Sequence, residues 1–170
     1  MDPTIIIILR VIHIVAGAIW LGGAVTVAFF LLPTVKATGP VGGQFIGALV
    51  QRTHLPEWLL ALGVVNIIAG LILYWDLYVG VPWDTFGPPG VYAIGGVLAV
   101  LVVVFGFAIA RPTADRLAGL GKAIQAQGSP PTPAQAADRE ALLARLTGVV
   151  SLNAILLIIT GALMAIGRYA

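Results

Sequence analysis

The chain of 170 residues has no cysteine. Disulfides, thiolate-bound zinc, iron–sulfur clusters and covalently attached c-type haem are excluded with it. Charge is scarce too: 9% of residues are Asp, Glu, Lys or Arg, against about 25% in an ordinary soluble domain. No run of Lys or Arg suits nucleic acid, and the formal net charge of +2 bears mainly on topology. Only two histidines occur, His13 and His54. No phosphate-cradling glycine loop, H-E-x-x-H pair or cysteine nucleophile is present. No Asp or Glu falls at mid-membrane, which argues against a carboxylate-driven ion pump.

Apolar residues are abundant, at 59% of the chain. So few ions cannot cover that much hydrocarbon surface in water, so an integral membrane protein is expected. Four apolar stretches stand out, at residues 4–32, 56–75, 91–110 and 146–167. Each can cross about 30 Å of hydrocarbon as a helix. None alternates as a barrel strand would. The fold class expected is an all-α, four-helix membrane bundle forming one domain over 1–170. The first stretch has no basic residue before Ile5 and no small-residue cleavage site, so it is expected to remain as a span.

Seven of the nine basic residues fall in two connections. Lys36 and Arg52 lie between spans one and two. Arg111, Arg116, Lys122, Arg139 and Arg145 lie between spans three and four. The connection from Asp76 to Gly90 carries only Asp76 and Asp84. The basic side is expected to be cytoplasmic, with both termini outside a cell (inner or plasma) membrane and Trp75, Tyr78 and Trp83 at the outer interface. A proline-rich break at residues 128–133 precedes a helical extension of span four. Residues 44–53 read as a short surface helix.

The spans suggest a duplication. Phe30-Leu31-Leu32-Pro33-Thr34 aligns with Ile109-Ala110-Arg111-Pro112-Thr113, which places His13 opposite Tyr92 and Gly17 opposite Gly96. Ile67-Ile68-Ala69-Gly70 matches Ile158-Ile159-Thr160-Gly161. Two hairpins related by a parallel repeat account for both matches.

Arg10, His13, Gly17 and Trp20 share one face of the first helix. A polar side chain inside a span is costly and is a functional candidate. Such a face suits a b-type haem. The imidazole of His13 is an axial ligand, Gly17 clears room for the macrocycle, Trp20 closes the slot, and Arg10 pairs with a propionate. The bland alternative is a histidine that hydrogen-bonds a neighbouring helix, with Gly17 serving close packing. Asn66, Tyr92 and Met164 are expected near the depth of His13 as further haem contacts. Met164 also reads as a flexible gap-filler. His54 lies at the inner end of span two, too far from His13 to share an iron. Asn153, deeper toward the inner side, is expected to bond across helices.

The first span also resembles that of a superfamily of copper-resistance-D-like membrane proteins, uncharacterised four-span proteins and membrane-type protoporphyrinogen oxidases. Its pattern His-x3-Gly-x2-Trp-x-Gly is met by His13, Gly17, Trp20 and Gly22. The resemblance implies a helical bundle, often with haem b on the span-one histidine. The oxidases carry a lysine in their third span, and none stands there in this chain. The function expected is electron transfer between a membrane quinol and another acceptor, by a membrane oxidoreductase. The alternatives are a non-catalytic binding or assembly protein, handling copper or supporting a complex, and oxidation of a porphyrin. Small-residue faces also allow a homodimer.

Overall fold

In the computed structural model, which describes residues 1–82 and 87–170, the chain is an all-α bundle of four long apolar helices. Trp83 and Asp84, expected in the outer connection, lie outside the described residues. The long helices are α1 (Pro3–Ala37), α3 (Leu55–Tyr78), α4 (Pro88–Ala126) and α5 (Pro133–Tyr169). A shorter helix, α2 (Gly39–Thr53), joins α1 to α3. At about 1.5 Å per residue, the 24 residues of α3 span about 36 Å, enough for a bilayer core. At most 22% of each helix's most apolar window is buried, and Ile14, Phe30 and Val97 are among the many exposed side chains. Such a continuous apolar belt belongs in lipid. The chain is a multi-pass membrane protein.

The helices run alternately up and down. α1 packs most extensively on α3 and α4 on α5, while α3–α4 and α1–α5 contacts close the square. All seven basic residues expected in the two connections gather at one end, hereafter the basic end.

Local chemistry sets the helix limits. Asp2 caps α1 by accepting from the Thr4 amide at 2.8 Å. Thr132 and Gln135 form a capping box before Pro133, so α5 begins well outside the apolar core, as the sequence led us to expect. The third span differs from expectation. Residues 111–126, taken from their polarity as a connection, continue α4 as helix. Their alanines and leucines favour helix whether or not lipid surrounds them.

The duplication has a backbone counterpart. α1 widens into a π-turn at Val27–Leu31, and α4 does so at Gly106–Ala110. The two turns are related by the same offset that aligns the two Pro-Thr pairs. In each, an amide reaches back five residues, Leu32 to the Val27 carbonyl and Arg111 to that of Gly106. Pro33 and Pro112 have no N–H to offer, and a widened turn relieves the clash of the ring with the preceding turn. The next residue repeats too. Thr34 donates its hydroxyl to the Phe30 carbonyl at 2.7 Å, and Thr113 donates to Ile109 at 2.6 Å.

The core lies at mid-bundle, where Trp20, Ala99, Val102 and Leu157 meet. Every long helix lends it side chains, with Leu59 and Leu62 of α3 packed against it.

Candidate functional site

His13, Gly17 and Trp20 face α3, and their partners there step in the opposite direction. A Cβ on Gly70 would stand 2.8 Å from His13 Cε1. One on Gly17 would stand 2.7 Å from Asn66 Oδ1, and one on Gly63 2.8 Å from the Trp20 ring. These are closer than real Cβ atoms come, so a side chain at any of the three would push its partner aside. The three rungs form one antiparallel seam in which a large side chain always meets a residue without one.

A hydrogen bond fixes the upper rung. His13 Nδ1 lies 2.8 Å from the Asn66 carbonyl oxygen. A carbonyl only accepts, so Nδ1 is the donor in this bond, and Nε2 is the ring nitrogen not engaged by it. Metal-ligating histidines are commonly held by such a bond.

The fit to haem is therefore divided. The bond suits an axial ligand. The slot does not: the carboxamide of Asn66 fills the space beside Gly17, and the Trp20 ring lies against Gly63. One helix cannot reveal what packs against its face, so the small residue read as clearance for a macrocycle is clearance for Asn66. A flat tetrapyrrole does not fit along this seam.

Of the other haem contacts expected, only Asn66 meets His13. The Tyr92 ring lies against Gly167, where a Cβ would come within 2.6 Å of Cε1, and stacks 6.2 Å from Tyr78. Tyr78 is eight residues beyond Gly70 on α3, which sets this cluster about 12 Å further out than His13. Met164 fills the gap over Gly95, with its methyl 2.9 Å from a Cβ built there. Arg10 is exposed, with no ion pair among the described residues. His54 sits in the left-handed region (φ 52°) at the α2–α3 junction, about 24 Å along α3 from Gly70, so the two histidines do not share a ligand. Among the described residues, no three His, Asp or Glu side chains gather as a metal site.

These contacts also correct the repeat. The glycine opposite Tyr92 is Gly167, whereas Gly161, matched by sequence to Gly70, faces Leu21 of α1.

A second feature was not legible in the motifs. Toward the basic end, below Trp20, the bundle holds a partly open cavity of 330 Å³. Both π-turns line it, through Val27 and Leu31 and through Gly106 and Ala110. Its polar groups are few: Asn153 at depth, with Glu57, Arg111 and Asp115 also in the lining. Asn153 donates from Nδ2 to the Val102 carbonyl at 3.4 Å, the cross-helix bond expected, but its Oδ1 is buried with no partner. The two Pro-Thr pairs were the available signal, since they mark where both helices widen.

No known protein family, curated protein or solved structure matches the chain.

Proposed function

We propose that the chain is a non-catalytic membrane binding or assembly protein in which the His13 face holds the first hairpin together. One observation carries this reading. Three of the four residues of the pattern, His13, Gly17 and Trp20, are used in rungs of the α1–α3 seam, opposite Gly70, Asn66 and Gly63, while a Cβ on Gly22 would meet nothing. In lipid, where hydrophobic association between helices is lost, close packing and interhelical hydrogen bonds provide the adhesion. The basic end faces the cytoplasm on this reading, with both termini outside the cell (inner or plasma) membrane.

The optical spectrum tests it. Protein purified from cells supplied with haem is expected to show no Soret band and no stoichiometric copper, and His13→Ala is expected to weaken the fold. A Soret band lost in His13→Ala would overturn the reading.

A second reading, a b-type haem protein with His13 as axial ligand, is favoured by the protonation of Nδ1, which leaves Nε2 free to bind iron. It requires α1 and α3 to part around Gly17. The resemblance of the first span to the copper-resistance-D-like superfamily is served by either reading, because Gly17 also permits helix contact.

A further inference from the structure

The cavity below Trp20 is long, apolar and charged toward one end. Its lining runs along α4 from Val102 to Ala118, about 24 Å of helix, whereas a round void of 330 Å³ would be about 9 Å across. The space is therefore a narrow channel along the bundle axis. Trp20, Val102 and Leu157 wall its inner end, and all three are buried. Its charged lining residues, Glu57, Arg111 and Asp115, are exposed. Glu57 lies about 9 Å along α3 from Gly63, on which Trp20 rests, and Arg111 lies about 14 Å along α4 from Val102, both toward the basic end. The channel thus reaches the surface beside these charges, where the apolar stretch 91–110 has just ended and lipid headgroups begin.

We propose that this channel holds one acyl chain of a zwitterionic phospholipid with an amine headgroup, drawn from the leaflet at the basic end. The site is separate from the His13 seam, so the inference goes beyond the reading above and does not depend on it. Shape selects the chain. A flexible hydrocarbon chain follows a narrow channel between apolar walls, and water, which needs two to four polar partners, does not hold there. Charge selects the headgroup. One guanidinium and two carboxylates belong to the lining, and none of them is in an ion pair among the described residues. Arg111 can donate to a phosphate. Glu57 and Asp115 attract an ammonium and repel a second anion. A fatty acid or an anionic phospholipid meets only the first demand; a phosphate followed by an amine meets both. An acyl chain gains no hydrophobic transfer on leaving the bilayer, so van der Waals contact with the walls and pairing at the headgroup must hold it.

Native mass spectrometry of the protein released from nanodiscs tests the assignment. The discs contain equal amounts of dioleoyl phosphatidylethanolamine and dioleoyl phosphatidylglycerol, which differ only in the headgroup. Wild type is expected to keep one phospholipid per chain, with the ethanolamine lipid preferred about tenfold. Ala110→Phe, which plugs the channel from its wall, should abolish retention, whereas Ala18→Phe on the exposed side of α1 should leave it unchanged. Glu57→Gln combined with Asp115→Asn should keep one lipid and erase the preference. A wild type that leaves the disc without lipid overturns the proposal. So does retention that persists in Ala110→Phe, which would put the lipid outside the channel. A preference for the glycerol lipid, or an ethanolamine preference that survives loss of both carboxylates, overturns it as well. If Ala110→Phe does not fold, Ala114→Leu, a smaller plug in the same lining, decides in its place.

Discussion

The two ends of the bundle are built on opposite terms. Toward the outer end, large side chains sit on glycines: His13 on Gly70, Trp20 on Gly63, Met164 on Gly95 and Tyr92 on Gly167. His13 bonds to the Asn66 carbonyl and Tyr74 to the Pro89 carbonyl across helices, while Asn66 Oδ1 and Thr160 Oγ1 are buried without a partner. Toward the basic end, Ala24, Gly106 and Ala110 are among the residues lining the cavity, a Cβ built on Gly106 would stand 3.8 Å from Leu60, and Asn153 likewise keeps an unmet oxygen. A bundle packed throughout would have large residues opposite small ones on every layer. Glycine thus admits a large side chain at His13, Trp20, Met164 and Tyr92, whereas at Gly106, beside Leu60, it leaves ordinary van der Waals room at the cavity wall.

Substitutions can break that contrast. Gly63→Val should have the largest effect, because its Cβ would meet the Trp20 ring at 2.8 Å and force the central core apart. A loss of about 3 kcal/mol is expected from the overpacking, read from denaturant unfolding in detergent. His13→Ala should cost about 2 kcal/mol through the lost hydrogen bond and the space left over Gly70, and His13→Phe should restore about half by refilling it. If Phe were worse than Ala, the seam would not be a packing device. At the other end the sign should reverse. Asn153→Leu removes an unsatisfied buried oxygen and should raise stability by about 1 kcal/mol in the same unfolding experiment. The smallest effect is expected for Pro33→Ala and Pro112→Ala, about 0.5 kcal/mol each, since the π-turns already relieve the rings. Hydrogen exchange at the restored amides should show protection, as the turns tighten toward ordinary helix.

Much of the scaffold could be read from the residues. The four spans, the basic end and the start of α5 follow from hydrophobic length, arginine placement and the Thr132–Gln135 cap, all of which act locally. The His13 face was visible for the same reason, being a spacing on one helix. What packs against it was not, because Gly17 looks alike beside a macrocycle and beside Asn66, and Asn66 lies on a helix 53 residues further along the chain from His13. Residues 111–126 were misread because polarity reports solvent and not backbone conformation. The cavity was the least legible feature. A void has no residue of its own and arises only when the sizes of side chains from several helices are compared at one level.

The paired π-turns bear on the chain's ancestry. A five-residue reach inserts one residue into a helix and rotates everything beyond it by about 100°. Both halves carry this insertion at the same place, ahead of the same Pro-Thr pair. If the halves descend from one hairpin, that extra residue is older than their fusion, and an ancestral half-length peptide pairing with its own copy would already have enclosed a hollow.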